Sequence, residues 1–539
     1  GDRIGIAMRN RPEFVIGIIA ATSIGAVATP FNSLGTGKEL NYVVGHSECK
    51  VILMDEARYT ALEPFLDELK DLSTVILAES EVPKQHPEDE EEDEVTKPKT
   101  NILLFDDVVS SNKGAKMPEF PVKSRDEPAI LMYTSGTTGN PKGVVLTHRN
   151  ITHSLVAGVA QQVMRTVTEL LVTGQPLPPG AKEKKSDKVF PKLPYDLVSL
   201  LGVPLFHITG LNAVMFLTMM LGGKLVLMYK WDPLQALQLV QDEKVSSFTG
   251  VPTMTMQMTN HPRKSEFDTS SLKSLGSGGA AAPKRIVKDI EKGFGKETKA
   301  GSGYGLTESS AICCITSPLY YAQHPGTCGH PTPGTEIQIW DENDNQVPVG
   351  THGRVMIRGP IIMKGYFKNK EKTQEVITPN GFFESGDIGA VDKKGWLFLS
   401  DRAKNILVRG GENISCSEIE SAVYGHPAVG ECAVIGVDHP ELGEEVGIAI
   451  YPKAGHDVSE LTLESILEYC QDLAKFKRPT YIYIYDTELP RGATGKILHR
   501  QIRIECKNRD AMKADATALG PEKEDHIPVK IGKKKFLCF

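Results

Sequence analysis

Residues 129–143 place an apolar run directly before a loop of small polar residues. The run ends at Tyr133, and seven of the next ten residues are Thr, Ser or Gly. The run predicts a strand, and the loop after it can turn backbone N–H groups and hydroxyls toward one point, where Lys142 adds a positive charge. These are the requirements for holding a polyphosphate, with a flexible turn as the alternative. The loop is not a Walker A motif, because Pro141 stands five residues after Gly136, where that motif needs Gly followed by Lys and Ser or Thr.

The composition is that of an ordinary soluble protein. At 539 residues the chain is long enough for three or more domains, since a domain takes roughly 100–200 residues. Its 40% hydrophobic and 24% charged residues exclude wholesale disorder and a collagen-like repeat. The net charge of −7 argues against a dedicated nucleic-acid binder. Residues 81–100 hold eight acidic residues and three lysines, so most of that charge lies in one segment, which we predict to be a solvated surface loop.

Apolar patterning changes along the chain and indicates its organisation. In the first 80 residues, helical segments alternate with short apolar runs such as Val51–Met54, which predicts an α/β fold of doubly wound sheets. From Gly334 onward, short alternating strands predict a β-rich subdomain. A new compact unit begins after Ser400, with a helix opened by Ser415 or Ser417.

These changes divide the chain into three parts. We predict a large N-terminal domain over residues 1–400, a small α+β C-terminal domain over 401–510 and a flexible tail over 511–539. Residues 81–100 and 174–194 are predicted surface insertions in the first domain, the second because of its prolines and Lys-rich run.

Several function classes and locations are disfavoured by what the sequence lacks. Two uncharged stretches, 14–31 and 197–223, are long enough for membrane spans, yet polar residues and Pro or Gly interrupt both, and we predict core segments. Nine cysteines without a Cys-x-x-Cys pair favour a reducing, cytoplasmic setting. Neither a His-Glu-x-x-His zinc motif nor a Gly-x-Ser-x-Gly hydrolase motif occurs.

The ends of the chain bear on targeting. Because the chain starts at Gly1 without a methionine, we expect its natural start, with any targeting signal, to be missing. The end at Phe539 is no peroxisomal signal.

Six further motifs follow the loop in order along the chain. They combine glycines with a few acidic and basic residues and read Ser277-Gly-Gly-Ala280, Tyr304-Gly-Leu-Thr-Glu308, Ser385-Gly-Asp387, Asp401-Arg-Ala-Lys404, Gly410-Gly-Glu-Asn-Ile414 and Pro490-Arg-Gly-Ala-Thr-Gly-Lys-Ile497. Together with the loop, this order resembles the signature of the adenylate-forming (AMP-binding) superfamily, and most closely its acyl-CoA synthetase branch of fatty acyl-CoA and 4-coumarate-CoA ligases. The resemblance covers residues 1–505 and implies that the C-terminal domain is mobile.

The resemblance implies a reaction with two halves. A carboxylate attacks the α-phosphate of ATP to give an acyl-adenylate and pyrophosphate, and the thiol of coenzyme A then displaces AMP to give a thioester. ATP, Mg²⁺ and coenzyme A are therefore the expected cofactors and substrates, and a small-molecule carboxylic acid is the expected partner. No nucleic acid and no transmembrane segment are expected, while peripheral membrane contact stays open.

The resemblance also assigns roles to individual residues. The β- and γ-phosphates would be held by Thr134, Ser135, Gly136, Thr137, Thr138, Gly139 and Lys142. The adenine would lie against Gly278, Gly279, Ala280 and Tyr304, and the ribose against Asp387 and Arg402, with Gly305 as a further nucleotide-binding residue. Thr307 would face the α-phosphate, and Glu308 would help to bind Mg²⁺. Lys496 would contact the substrate carboxylate and the α-phosphate, and His207 would position or gate the acyl group.

The two halves of the reaction also imply motion. If one lysine serves adenylation and a different surface admits the thiol, the small domain has to move, and Asp401 and Lys404 stand at the family's hinge position. The path of coenzyme A would then run along Arg409, Gly410 and Gly411.

The acyl pocket is predicted to be apolar. Phe248–Met258 and Ser302–Cys314 are candidate linings, and a medium- or long-chain fatty acid is the predicted substrate. The alternatives are an aryl acid of the coumarate type, a luciferase-like oxygenase and an inactive scaffold that binds a nucleotide or acyl group. The oxygenase is disfavoured because those enzymes usually carry a lysine where Val408 stands.

Overall fold

The structure is a computed structural model, which describes the greater part of the chain. The described residues are 1–79, 100–116, 119, 124–134, 140–172, 174, 196–279, 282, 285–316, 318–402, 406–410, 412–492, 495–507 and 512–513. The predicted insertions fall almost wholly outside these ranges, and so does the predicted tail apart from Met512 and Lys513.

Strands and helices alternate through most of the described chain. The strands are β1 (Arg3–Ala7), β2 (Val27–Pro30), β3 (Cys49–Met54), β4 (Thr74–Leu77), β5 (Asn101–Leu104), β6 (Pro128–Thr134), β7 (Lys142–Thr147), β8 (Val198–Leu201), β9 (Lys224–Leu227), β10 (Ser247–Gly250), β11 (Ser274–Gly278), β12 (Lys299–Tyr304), β13 (Cys314–Ile315), β14 (Thr327–Pro331), β15 (Glu336–Trp340), β16 (Gly353–Arg358), β17 (Gly365–Tyr366), β18 (Phe383–Val391), β19 (Leu397–Arg402), β20 (Ile406–Arg409), β21 (Glu412–Ser415), β22 (Val429–His439), β23 (Gly443–Pro452), β24 (Tyr481–Ile484) and β25 (Met512–Lys513). The helices are α1 (Pro12–Ser23), α2 (Gly37–Ser47), α3 (Glu56–Leu62), α4 (Phe105–Ser111), α5 (His148–Val172), α6 (Leu217–Met220), α7 (Pro233–Glu243), α8 (Pro252–Thr259), α9 (Ile286–Phe294), α10 (Pro318–Gln323), α11 (Lys370–Val376), α12 (Cys416–Val423), α13 (Leu463–Tyr469) and α14 (His499–Cys506).

Contacts within the chain divide it into two compact units. Unit 1 consists of Gly1–Ile406 and Pro490–Leu498, and unit 2 consists of Leu407–Leu489 and His499–Phe539. The predicted boundary lies at Ser400, and the predicted C-terminal domain includes residues 490–498, whereas the contacts of that short segment lie within unit 1.

Eight strands of unit 1 form a sheet in the order β17-β7-β6-β2-β1-β3-β4-β5. The pairs from β6 across to β5 are parallel, while β6 with β7 and β7 with β17 are antiparallel. This half of the unit follows the predicted α/β rhythm, and β3 contains the predicted run Val51–Met54. Helix α2 begins with a capping box, in which Thr36 and Glu39 each accept the other's backbone N–H.

Eleven strands form the second sheet of unit 1, in the order β15-β16-β18-β19-β14-β13-β12-β11-β10-β8-β9. Neighbours from β9 to β12 are parallel, and neighbours from β12 to β15 are antiparallel. Strands β15, β16, β18 and β19 of the predicted β-rich subdomain therefore continue this sheet instead of forming one of their own, while β17 pairs with β7 in the first sheet.

The parallel part of the second sheet determines where the candidate site lies. The carboxyl ends of parallel strands meet at one edge of a sheet, and α/β proteins bind their ligands there. Strand β8 leads into the segment with His207, β11 ends at Gly278, and β12 ends at Tyr304. Because Gly278 is the register partner of Gly303, the residues that follow β11 and β12 are neighbours.

Unit 2 contains a six-stranded sheet in the order β21-β20-β23-β24-β25, with β22 paired to β23. Strands β22 and β23 form a long antiparallel hairpin, and β24 lies parallel to β23. Helix α12 begins after Ser415, whose side chain accepts the Glu418 N–H, so Ser415 and not Ser417 is the cap. Strand β25 pairs with β24, which extends the sheet into the segment predicted as a tail.

The two apolar stretches that are long enough for membrane spans are parts of unit 1. The first forms α1 and β2, and the second runs from β8 through a π-helix, Thr209–Phe216, to α6. Among the described helices none is long and apolar enough to cross a membrane.

The first sheet offers a direct test of its core. Ile52 on β3 is fully buried, and Ile52→Ala should lower the free energy of unfolding by about 2–5 kcal/mol, because the lost methyl groups leave a cavity. The matched control is Ile16→Ala on α1, where the side chain is 49% exposed and the change should stay within about 0.5 kcal/mol. Urea unfolding followed by circular dichroism measures both, and equal losses would contradict the assigned core.

Candidate active site

The predicted phosphate loop connects two antiparallel strands. Strand β6 ends at Thr134, β7 begins at Lys142, and these two residues are register partners. The hairpin therefore brings Thr134 and Lys142 together at the base of the loop. Lys142 is half-buried, and its Nζ lies 5.5 Å from the centroid of the Tyr366 ring. The remaining predicted phosphate contacts, Ser135, Gly136, Thr137, Thr138 and Gly139, lie outside the described residues.

The turn after β12 presents Glu308 at the carboxyl edge of the sheet. A Cβ on Gly305 would lie 1.8 Å from the Ala311 carbonyl oxygen, so this position accepts only glycine. The backbone N–H of Leu306 donates to Ser309 Oγ at 2.9 Å, and the N–H of Ala311 donates to the Leu306 carbonyl at 3.0 Å. The side chain of Thr307 is buried in this turn, whereas that of Glu308 is half-exposed.

A buried polar network, which the sequence analysis did not predict, anchors this turn. The Ser310 carbonyl accepts hydrogen bonds from Asn212 Nδ2 at 2.6 Å and from Ser154 Oγ at 2.7 Å, and the Ser310 hydroxyl donates to the Ile361 carbonyl at 2.8 Å. Asn212 lies in the π-helix Thr209–Phe216, a type of helix that is frequent at functional sites. An Asn in an otherwise apolar stretch was the available signal, because a buried amide needs a partner.

Tyr304 and Asp387, predicted for adenine and ribose, contact each other. The Tyr304 hydroxyl donates to Asp387 Oδ2 at 2.6 Å, and both side chains are buried. Burial, followed by the negative charge of Asp387, raises the pKa of Tyr304 well above its ordinary value, so its hydroxyl remains a donor. Asp387 on β18 is also the register partner of Arg402 on β19, which places the backbones of the two predicted ribose residues side by side.

Lys496 lies beside the carboxyl end of β11. Gly279 has a φ of +75°, and a Cβ on it would be 3.4 Å from Lys496 Cε and 3.6 Å from Nζ. The positive φ favours glycine at this position, and the short distances show that the lysine side chain reaches van der Waals range of it. Gly278 precedes it as the last residue of the strand, and Ala280, the third predicted residue of this turn, lies outside the described part of the chain.

The segment that carries Lys496 is a short hairpin of unit 1. Arg491 and Ile497 form an isolated bridge, and the Gly492 N–H donates to the Lys496 carbonyl at 2.8 Å. Gly495 has a φ of +78°, and a Cβ there would be 3.3 Å from Val251 Cγ2. The hairpin thus rests against the start of α8 and directs Lys496 toward the sheet edge.

His207 is held as a neutral ring near the same lysine. Its Nδ1 accepts the backbone N–H of Thr209 at 3.3 Å, so the proton of a neutral ring is assigned to Nε2. Burial and the positive charge of Lys496 lower the pKa of His207 to about 3, because both disfavour the imidazolium. At neutral pH the ring can donate one hydrogen bond through Nε2 but cannot supply a positive charge.

The predicted hinge and coenzyme A residues are described only in part. Asp401 is the penultimate residue of β19, while Lys404 and Gly411 lie outside the described residues. In unit 2, Arg409 ends β20 and Gly410 follows with a φ of +59°. The roles of these residues stay predictions.

Arg409 is fixed by a buried carboxylate of unit 2. Its Nε donates to Glu445 Oε1 at 3.0 Å, and Thr480 Oγ1 donates to Glu445 Oε2 at 2.8 Å. Burial alone would raise the pKa of Glu445, but these two hydrogen bonds and the charge of Arg409 hold it below its ordinary value. The guanidinium therefore has a defined position before any substrate arrives.

The carboxylates of the site suit Mg²⁺ only in combination with a nucleotide. Within the described residues no group of three or more His, Cys, Asp or Glu side chains could hold a metal ion. Mg²⁺ in nucleotide sites is commonly held by one or two carboxylates together with substrate phosphates. A half-exposed Glu308 meets that requirement, so the residues present fit a metal that arrives with its nucleotide.

Comparisons with known proteins find similarity over most of the chain. A family model described as AMP-binding enzyme matches residues 1–367, and one described as AMP-binding enzyme C-terminal domain matches residues 418–496. A long-chain-fatty-acid-CoA ligase of Bacillus subtilis (strain 168) is 32% identical over 93% of this chain and 85% of its own length, and a feruloyl-CoA synthase of an Amycolatopsis species is 30% identical over 93% and 88%. The solved structure of the anthranilate CoA ligase AuaEII with anthranoyl-AMP shares the fold, with a TM-score of 0.79 at 23% identity over 94% of this chain and 87% of that one.

The protonation state of His207 can be measured directly. We expect its ring resonances to show no titration between pH 5 and 8, because its lowered pKa keeps it neutral over that range. Histidine-labelled protein and a His207→Gln variant, which identifies the resonance by its disappearance, provide the NMR measurement. A midpoint near the ordinary histidine value of about 6.5 would contradict the described environment.

Proposed function

This chain belongs to the AMP-binding enzymes and is an acid-thiol ligase, and from that premise we propose that it joins a medium- or long-chain fatty acid to coenzyme A. The acid and ATP give acyl-AMP and pyrophosphate, and acyl-AMP and coenzyme A then give acyl-CoA and AMP. The observation that carries the proposal is the position of Lys496 beside Gly279 and His207, at the edge where the Glu308 turn also lies.

In the first half-reaction the residues at this edge would stabilise the negative charge of the phosphates and of the acid's carboxylate. Phosphoryl and adenylyl transfer depend mainly on positioning and on stabilisation of developing charge. Lys496 would hold the acid's carboxylate against the α-phosphate, and Thr307 would face the same phosphate. Neutral His207 would donate from Nε2 without drawing the carboxylate into an ion pair. A bound Mg²⁺ would supply charge neutralisation of the phosphates, next to Glu308.

The nucleotide would be held by residues that already contact one another. Lys142 and Thr134 at the base of the loop would take the β- and γ-phosphates, and Asp387 would take the ribose. Because Tyr304 donates to Asp387, this carboxylate is already oriented before the nucleotide binds, which reduces the ordering cost of binding.

In the second half-reaction the thiol of coenzyme A would displace AMP from the adenylate. We assign Arg409, Gly410 and Gly411 to the path of its pantetheine arm, and Asp401 and Lys404 to the hinge that exchanges one half-reaction for the other. The ion pair with Glu445 supports this assignment, since it fixes the guanidinium of the residue that directly precedes Gly410.

Two features support an aliphatic acid. Three methionines of α8 are buried, namely Met254, Met256 and Met258, and the helix contacts β10 and β11. Methionine side chains adapt to irregular shapes. A Cβ on Gly301 of β12 would have no heavy atom of the described residues within 4 Å, which leaves space for a ligand beside this strand. An aryl acid is the second candidate, because a feruloyl-CoA synthase is among the relatives.

The two half-reactions can be separated with Lys496→Ala. We expect pyrophosphate release from acid and MgATP to fall at least 100-fold, because the variant loses the cation that aligns the carboxylate with the α-phosphate. Thioester formation from supplied acyl-adenylate and coenzyme A should stay within about threefold of wild type, since it does not use that alignment. Lys393→Ala, at an exposed residue of the turn between β18 and β19, is the matched control. Equal loss of both activities in Lys496→Ala would contradict the assignment of Lys496 to the first half-reaction.

The acid can be identified with a panel that includes hexanoate, dodecanoate, palmitate and 4-coumarate. We expect kcat/KM for dodecanoate or palmitate to exceed that for coumarate at least tenfold. Gly301→Val should lower kcat/KM for palmitate at least tenfold and for hexanoate less than threefold, because the added side chain fills open space without displacing a neighbour among the described residues. A preference for coumarate, or equal losses for both chain lengths, would favour the aryl ligase.

A further inference from the structure

Five consecutive residues, Met363–Phe367, connect the Glu308 turn to the strand that carries Lys142, and we call them the bridging segment. The backbone N–H of the first donates to the Glu308 carbonyl at 2.8 Å. The backbone N–H of the last donates to the Gly143 carbonyl at 2.7 Å, and between them β17 pairs antiparallel with β7. The main chain of the segment therefore joins two parts of the site that are far apart in sequence.

The side chain of Tyr366 links the same two parts a second time. Its hydroxyl donates to Glu308 Oε1 at 3.0 Å, and Lys142 Nζ lies 5.5 Å from its ring centroid, within the range of a cation–π contact. The tyrosine therefore contacts the predicted metal ligand through its hydroxyl and the predicted phosphate ligand through its ring.

The bridging segment has little freedom to move. The Tyr366 N–H donates to Thr373 Oγ1 at 2.9 Å, which ties the segment to α11. Gly365 has a φ of +149°, and a Cβ there would come within 2.9 Å of Thr373 Cγ2. Glycine thus permits the close approach, and the pairing of β17 with β7 fixes the direction of the tyrosine.

We propose that Tyr366 is a positioning residue that sets the separation between the Glu308 carboxylate and the Lys142 ammonium for one magnesium–polyphosphate group. This rests on the proposed function, in which Glu308 faces the metal and Lys142 the outer phosphates. The tyrosine holds Oε1 of the carboxylate, and no hydrogen bond from the described residues reaches Oε2. Tyr366 contacts both groups, through its hydroxyl and through its ring, so one rigid side chain links the two predicted ligand contacts.

Two variants separate the two contacts of Tyr366. Tyr366→Phe removes the hydroxyl and keeps the ring beside Lys142, whereas Tyr366→Leu removes both. We expect the Mg²⁺ concentration for half-maximal ATP binding, measured by titration calorimetry, to rise about tenfold in Tyr366→Phe, which corresponds to about 1.4 kcal/mol. ATP binding without Mg²⁺ should change less than twofold in Tyr366→Phe and weaken at least threefold in Tyr366→Leu, where Lys142 loses its ring partner.

The matched control is Tyr59→Phe. On α3, the Tyr59 hydroxyl donates to Glu63 Oε1 at 3.1 Å, the same kind of tyrosine–glutamate hydrogen bond, and its loss should leave the Mg²⁺ dependence unchanged. Thermal unfolding of all variants separates a local effect from a loss of fold. A Tyr366→Phe protein with the wild-type Mg²⁺ dependence overturns the inference. Since ATP binding needs no acid, this measurement is independent of the acid panel, whose failure would count against the proposed function instead.

Discussion

The parallel pairing of β11 with β12 is the constraint on which the candidate site depends. Its register puts the residues after Gly278 beside those after Gly303, so Gly279, approached by Lys496, and the turn that carries Glu308 share one edge. Successive side chains of a strand point to opposite faces of its sheet. A slip by one residue would therefore turn Tyr304 away from Asp387 and separate the nucleotide contacts from the carboxyl edge.

The Glu308 turn is strained, and buried hydrogen bonds maintain the strain. Ser310 and Ala311 have φ values of +57° and +76°, which residues other than glycine rarely adopt. Such backbone angles cost of order 1–3 kcal/mol each. The network of Asn212, Ser154 and Ser310 offsets this cost, since leaving a buried carbonyl unpaired would cost a similar amount. The turn thus keeps its shape before substrates bind, which lowers the reorganisation needed for reaction.

The fold class and the family were predictable from the sequence, and both are confirmed. Local patterns sufficed because a strand followed by a glycine-rich loop, as at β6, depends on neighbouring residues. The contacts that organise the site could not be predicted in this way. Tyr304 and Asp387 are 83 residues apart, Asn212 and Ser310 are 98 apart, and Glu308 and Tyr366 are 58 apart. A motif marks where a chain turns or carries charge, but sheet order and register decide which distant side chain meets it.

The return of Pro490–Leu498 to unit 1 bears on how such enzymes can be recombined. The chain crosses between the two units at three points, after Ile406, before Pro490 and after Leu498. A chimera made at the first crossing alone would import the lysine hairpin of the donor together with its second unit. Gly495 of the donor would then pack against α8 of the host, although the sequence around this glycine is matched to α8 of the donor. Exchange of the second unit with its host lysine retained requires junctions at all three crossings.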